Sequence, residues 1–281
     1  MHPLRLAVVS LLLCLAGCAH SKAEPAAAPP ASAEPVPQAE LDRIRLRAMY
    51  IVDAERAAIR ATDLLLELTD RDDARLQMFL TVPRGDTWYA VFGKLDDEGT
   101  FVPGYAFRAL RAVPERMTPM DVGELPADFS AQARAVRAAT LRATEVHGRK
   151  QVNPVVYEEE GRLTVYVMQG FHEPGLYLLG GDFRFEFSPD GRTVREEHAL
   201  HKSIIAVDLR QPIPGGPMAA HFHTHVLFPG PVETEWALLM LYPELQSLYV
   251  GTPGSRWVYA MHPEGTVRTI DSQAQAREEP Q

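Results

Sequence analysis

The first eighteen residues constrain this chain more than any other feature, because they indicate which part of it is left to fold. Arg5 supplies a positive charge, Leu6 to Leu15 form an apolar run, and Ala16-Gly17 are the small residues that a signal peptidase needs before its cut. The run is too short for a membrane-spanning helix, which needs ~20 residues. We therefore predict a leader over residues 1–17 that is removed, so that Cys18 becomes the first residue of the mature chain.

The segment Leu15-Ala16-Gly17-Cys18 resembles the lipobox of bacterial lipoproteins. In that family the cysteine sulfur is diacylated with fatty acids such as palmitate, and the free amine is usually acylated too, so the resemblance implies a lipid anchor at Cys18. Two or three acyl chains hold a protein on a bilayer, at roughly 0.8 kcal/mol per buried methylene, whereas one chain does not. The expected partner of this end is a lipid bilayer. Ala19, which is not the Asp that resembles an inner-membrane retention signal, favours the outer membrane of a cell envelope.

Cysteine and charge content narrow the chemistry of the remaining chain. Its two cysteines are Cys14, in the leader, and Cys18, so the folded part has no thiol for a disulfide, a Cys-type zinc site or a cysteine nucleophile. Removal of Arg5 leaves 28 − 1 = 27 Lys and Arg against 37 Asp and Glu, a net charge of −10. Such an acidic chain argues against nucleic acid as a partner.

Composition divides the mature chain into a linker, a folded region and a tail. Residues 18–40 are rich in Pro and Ala and poor in large apolar side chains, which predicts a semi-rigid spacer. Residues 41–271 are long enough for one large domain or two small ones, with a possible subdivision near residue 150. Residues 272–281 are predicted to be a disordered tail.

The spacing of apolar residues predicts an α+β fold. Helical periodicity over Leu41–Leu68 predicts one long helix, or two with a break near residues 61–63, and a second helix is predicted over Ser130–Val146. A late helix is predicted from Pro231 to about Tyr242. Alternating segments predict a mainly antiparallel sheet, with hairpins formed by residues 87–94 with 102–110, 155–158 with 163–168 and 182–187 with 193–197, and with further strands at residues 203–209, 219–226, 248–251, 257–261 and 267–270.

The strand predicted over Ala219–Val226 carries the residues with the most plausible chemistry. On a strand, the alternating His221, His223 and His225 point to one face. Neighbouring members of this row stand about 7 Å apart and can converge on one ion, whereas the outer two are roughly 13 Å apart. A zinc site would therefore use two of the three histidines and ligands from elsewhere in the chain.

Acidic residues after this strand are the candidate catalytic groups. Glu233 and Glu235 lie at the start of the predicted late helix, where either could act as a metal ligand or take a proton from a bound water. Further candidates are the pair His172-Glu173 and the histidines at 198 and 201, which share a face only if their segment is helical.

The histidine strand and the helix after it resemble the JAB/MPN zinc hydrolases, whose signature is His-x-His, seven residues, Ser, two residues, Asp. When His221-Phe222-His223 is aligned with His-x-His, Pro231 falls at the Ser position and Thr234 at the Asp position. When His223-Thr224-His225 is aligned instead, six residues separate it from Val232 at the Ser position, and Glu235 falls at the Asp position. The resemblance implies a zinc-dependent hydrolase whose catalytic Glu, on an earlier strand, is one of Glu158, Glu159 and Glu160.

A longer region, from Gly180-Gly181-Asp182 through His225 to Leu248-Tyr249-Val250, resembles bacterial domains that have a sheet-plus-helix core and no established activity. That resemblance implies a fold and gives no reaction.

The sequence leaves three functions open. The first is a non-catalytic envelope lipoprotein that needs no cofactor and binds an unknown envelope protein or ligand. The second is a divergent zinc hydrolase, and the third is metal capture by the histidines without chemistry. The first is favoured, since histidines on an exposed edge strand are often only solvated.

Overall fold

The computed structural model of this chain describes residues 34–69, 73–148, 151–170, 173–210, 221–224 and 227–274. The helices in these ranges are α1 (Gln38–Leu68), α2 (Ser130–His147) and α3 (Glu233–Leu241). The strands, in chain order, are β1 (Met78–Arg84), β2 (Thr87–Leu95), β3 (Phe101–Leu110), β4 (Thr118–Met120), β5 (Val152–Glu159), β6 (Arg162–Gln169), β7 (Leu176–Gly180), β8 (Phe183–Phe187), β9 (Val194–Ala199), β10 (Ile204–Asp208), β11 (His221–Thr224), β12 (Leu248–Gly251), β13 (Trp257–Met261) and β14 (Val267–Asp271).

The described strands form four sheets. Their strand orders are β1-β2-β3-β4, β5-β6-β8-β9, β7-β10 and β11-β12-β13-β14. Among these strands every pair is antiparallel except β11 with β12, in which His221 lies opposite Leu248 and Thr224 opposite Gly251. The predicted α+β fold, with an N-terminal helix, a mainly antiparallel sheet and a late helix, is confirmed.

Helix α1 packs on the first hydrophobic core through a row of small residues. Ala48, Ala54, Ala57 and Ala61 have no exposed surface, and α3 packs against α1. Because alanine adds so little bulk, the axes of two helices can approach closely where such residues meet. This core combines residues before and after residue 150, including Trp88, Tyr166 and Trp236.

Helix α2 covers a second core formed by the sheet β5-β6-β8-β9 and by parts of β1 and β2. Its buried face consists of small residues around Val136, and Phe183, Phe185 and Phe187 of β8 pack beneath it. The sheet thus separates the two cores: Val165 and Val167 of β6 belong to the second, and Tyr166 between them belongs to the first. This alternation explains why every residue of β6 after Arg162 is buried.

Three strands lie where none was predicted, namely β1, β4 and β7. Strand β1 reads Met-Phe-Leu-Thr-Val-Pro-Arg, and its three apolar residues in a row at the start break the apolar–polar alternation. Strand β7 ends at Gly180 and pairs with β10. Helix α1 is continuous through residues 61–63, where a break was one alternative.

Candidate functional site

The candidate catalytic acids lie where a strand, a loop and a helix follow one another. Strand β11 carries His221 and His223, whose side chains lie outside the described part of the chain, as does the whole of His225. Helix α3 then begins at Glu233, so that Glu233 and Glu235 both lie in its first turn, where the helix dipole favours acids. The structure therefore brings the two predicted acids together at one helix end, and both are buried there.

Glu233 is engaged by three side chains from three other elements. Its Oε1 accepts hydrogen bonds from Tyr166 Oη and from Arg184 Nη1, both at 3.0 Å, and lies 3.5 Å from Arg47 Nη1. Only 3% of the Glu233 side chain is exposed. Burial, and then the charge of Glu233, raises the pKa of Tyr166 well above its usual value, which keeps this hydroxyl a donor. Glu233 thus neutralises two cations at the base of α3.

Arg47 extends this cluster to the hairpin of β5 and β6. Its Nη2 donates to Glu159 Oε2 at 2.9 Å, and Glu159 also accepts a hydrogen bond from Tyr157. The hydrogen bond from Arg47 lowers the pKa of the Glu159 carboxyl. Among the three acids proposed from the JAB/MPN resemblance, only Glu159 is joined to the α3 acids, through Arg47. Glu158 pairs instead with Arg84 at 2.6 Å, at the far end of β1.

Glu235 caps the helix that it helps to begin. Its Oε2 accepts the backbone N–H of Val232 at 3.0 Å, which satisfies a donor at the start of α3. Its Oε1 lies 3.4 Å from His201 Nε2, and each of these side chains is 1% exposed. Because both carboxylate oxygens of Glu235 have structural contacts, this residue holds the N-terminal end of α3 against the segment after β9.

His201 connects Glu235 to a third acid. Its Nδ1 lies 3.6 Å from Asp182 Oδ2, and Asp182 Oδ1 accepts the backbone N–H of Gln169 at 3.2 Å. Burial alone lowers the pKa of His201, but the hydrogen bond to Glu235 and the charges of both acids outweigh it and raise the pKa. Burial raises the pKa of Asp182, and the nearby imidazolium opposes that rise. The three side chains form a buried acid–histidine–acid row.

Two glycines allow this row to form. Gly180 and Gly181 have φ values of 87° and 74°, which only glycine adopts without strain, and they turn the chain from β7 into Asp182. A Cβ at Gly180 would lie 2.4 Å from the carbonyl oxygen of Ser203 and 3.2 Å from His201 Cβ. The close approach of this turn to His201 therefore requires the absence of a side chain.

The remaining sequence candidates lie apart from this row. His198 is on β9, not on a helix, so it shares no helical face with His201, and it pairs with Glu196 at 2.9 Å near the surface. Glu173 is exposed and ion-paired with Arg210, and His172 lies outside the described residues. Asp182, Arg47 and Arg184 had not been singled out, since no spacing in the sequence relates them to α3.

Among the residues that the structure describes, no group of three or more His, Cys, Asp or Glu side chains is arranged to hold a metal ion. The nitrogen–oxygen distances of 3.4 and 3.6 Å that join Asp182, His201 and Glu235 are those of ion pairs.

A small cavity lies beside this row. Its volume is about 30 Å³. Glu55 of α1 lines it and is 5% exposed, and burial raises the pKa of its carboxyl to about 7, although a hydrogen bond from Asn153 opposes the rise. The cavity also borders on Gln169, Asp182 and Glu235.

A much larger cleft opens on the other side of the molecule, between two sheet edges. Strand β1 is at the edge of its sheet and β5 at the edge of the next, and α2 forms the floor between them. The cleft has a volume of about 880 Å³, within the range of ligand-binding clefts. Its lining comprises Gln77, Met78, Phe79, Lys94, Leu95, Asp96, Asp97, Val136, Arg137, Thr140, Leu141, Val152 and Pro154.

Comparisons with protein-family models, with curated proteins and with solved structures found no match to this chain. None of the helices in the described ranges is long and apolar enough to cross a membrane.

Proposed function

We propose that this chain is a cell-envelope lipoprotein, anchored through acylated Cys18, whose α+β domain binds an envelope protein or ligand without catalysis. The observation that carries the proposal is the cleft between β1, β5 and α2, because its volume of about 880 Å³ is that of a ligand site. The Pro- and Ala-rich residues that precede α1 supply the spacer between the anchor and the domain. Anchoring at the outer membrane follows from the lipobox and from Ala19.

The lining of the cleft suits recognition. Apolar side chains such as Met78, Phe79 and Leu141 supply area that a partner can cover, and Leu141 is 57% exposed. Lys94 and Arg137 also line the cleft, and within the described part of the chain neither forms an ion pair. Unpaired cations beside apolar surface give a bound partner both contact area and a fixed orientation.

The α3 acids support a non-catalytic function. A general base must have a carboxylate oxygen within reach of a reacting proton, yet Glu233 and Glu235 have oxygens directed at Arg184, His201 and the backbone of Val232. These contacts stabilise the fold at the place where the sequence predicted chemistry.

Site-specific photo-crosslinking in cells tests the proposal. A photoreactive amino acid replaces Leu141 in the cleft, and the matched control carries it at Leu110, which is 65% exposed and outside the cleft. We expect a discrete adduct from position 141 and none from position 110, and we expect Lys94→Glu with Arg137→Glu to reduce the adduct. Equal adducts from both positions, or none from either, would contradict binding in the cleft.

A divergent zinc hydrolase is the second candidate, and one observation favours it. Glu235, the acid that takes the Asp place in one register of the JAB/MPN motif, lies buried at the start of the helix that follows β11. Under this function His223 and His225, or His221 in place of one of them, bind zinc. Saturating zinc would then raise the Tm of the wild type and not that of a His223→Ala, His225→Ala variant, since a ligand stabilises only the state that binds it.

A further inference from the structure

The small cavity between α1, α3 and the sheet is large enough for a water molecule, and its wall carries polar atoms that can bind that water. The cavity volume of about 30 Å³ is larger than the roughly 10–15 Å³ that one water molecule needs. The cavity is lined by residues of α1, β6, β7 and α3, and Glu55, Gln169 and Asp182 on its wall are each less than 8% exposed. Any occupant would therefore lie against buried polar side chains.

Two acceptors on the cavity wall are without donors. Glu55 Oε2 accepts a hydrogen bond from Asn153 Nδ2 at 3.2 Å, and Gln169 Nε2 donates to Gly181 O at 2.9 Å. Glu55 Oε1 and Gln169 Oε1, the other oxygen on each side chain, are buried with no hydrogen-bond partner. Buried polar atoms are almost always satisfied, by protein or by water, and a water molecule in the cavity would supply the donor that each of these acceptors lacks.

The titratable side chains that line the cavity are all acids, which become anions when they lose a proton. No Lys or Arg is among the described residues that line it. Besides Glu55 on α1, the titratable groups that face it are Asp182 after β7, Glu235 on α3 and Tyr242 after α3, with His201 turned towards the two acids. Burial, and next the charge of Glu55, raises the pKa of Tyr242 to about 12.

We propose that this cavity is a proton-linked water site, in which one water molecule joins Glu55 to Gln169 and loss of the Glu55 proton weakens the packing of α1 against α3. While Glu55 is protonated, its O–H donates to the water and the water donates to Gln169 Oε1. When the proton leaves, a carboxylate remains beside Asp182 and Glu235 with no cation on the wall. The inference does not depend on what the large cleft binds.

The direction in which the stability of the fold changes with pH follows from the burial of Glu55. Burial raises the pKa of Glu55 from 4.5 in the unfolded chain to about 7 in the fold. The folded state therefore holds more protons between these values, so its stability falls as the pH rises from 4.5 through 7. The raised pKa values of Asp182 and His201 act in the same direction, and only a comparison of variants isolates Glu55.

The experiment compares Glu55→Gln with a matched control, Glu67→Gln, which changes an exposed residue of the same helix. Unfolding of the full mature chain in detergent micelles is followed by tryptophan fluorescence from pH 5 to pH 8.5. We expect E55Q to melt close to wild type at pH 5 and roughly 5–10 °C above it at pH 8.5, while E67Q follows wild type throughout. A difference between E55Q and wild type that does not change with pH overturns the proposal.

Two measurements on the wild type keep the proposal testable if E55Q does not fold. Infrared difference spectra should show a protonated carboxyl that disappears as the pH passes about 7, and its absence at pH 6 overturns the proposal. A high-resolution crystal structure at pH 6 should show a water within hydrogen-bond distance of Glu55 Oε1 and Gln169 Oε1, and an empty cavity also overturns it.

Discussion

Glu233 is a candidate catalytic residue in the sequence, and its burial in the fold makes it a structural residue. An acid in the first turn of a helix after a histidine strand is typical of a catalytic or ligating group. In the fold the same carboxylate lies 3.0 Å from Arg184 and 3.5 Å from Arg47, both about 80% buried. Removal of Glu233 leaves Arg184 buried without this partner and leaves Arg47 with Glu159, and an uncompensated buried charge costs more than the pair contributes.

Glu233→Ala is therefore expected to destabilise the fold by about 3 kcal/mol, because Arg47 and Arg184 lose their shared partner. Urea unfolding at pH 7 measures the change in the free energy of unfolding. Glu98→Ala, at an exposed turn, is the control and should change stability by less than about 0.5 kcal/mol. A Glu233→Ala variant as stable as the control would show that this cluster is not structural.

His201→Ala should cost more stability at pH 6 than at pH 8.5. Glu235 and Asp182 raise the pKa of His201, so its ion-pair contribution is fully present at acid pH and is lost as the pH rises through that raised value. Loss of the charged partner should destabilise the fold by about 2 kcal/mol at pH 6. The control is His198→Ala near the surface. A cost that is independent of pH would contradict the pairing.

The helices and most hairpins could be predicted because their patterns are local. Periodicity gave α1 and α2 to within a few residues, and alternation with turn residues gave the hairpin of β5 and β6. Strand β1 was missed because its first three residues are all apolar, so that alternation is absent there. Strand β7 was missed because its first four residues are all large and apolar, so that it lacks alternation too.

The alanine row of α1 is the element-level feature that lets this helix pack closely on the first core. Ala57→Leu adds three carbon atoms at a position with no exposed surface, so it should destabilise the fold by about 1–3 kcal/mol through overpacking. Ala39→Leu, exposed in the first turn of the same helix, is the matched control and should be nearly neutral. Denaturant unfolding of both variants measures the difference, and equal stabilities would contradict close packing at this face.

Across the whole molecule, the candidate site could be predicted only in part. The sequence placed Glu233 and Glu235 together because they are two residues apart at one helix start. Their partners Arg47, Arg184 and His201 come from α1, β8 and the segment after β9, and only the tertiary fold brings them there. The large cleft was likewise not predicted, since it lies between edges of two sheets that are separate in sequence.

The proposed anchor makes a prediction for the entire chain. Cys18→Ser removes the sulfur that would carry the acyl chains, so the protein should leave the membrane fraction and lose labelling by radioactive palmitate. Cys14→Ser, in the leader, is the matched control and should stay membrane-bound and labelled. A Cys18→Ser protein that stays acylated would contradict the lipobox interpretation.

The most direct test of binding without metal chemistry is the metal content of the protein itself. The full mature chain is isolated from membranes without a metal-binding tag, as wild type and as the His223→Ala, His225→Ala variant, and zinc is measured by elemental analysis. Our account predicts far less than one zinc per chain in both proteins, with both folded. About one zinc per chain in the wild type that is lost in the variant would contradict it and would favour the hydrolase.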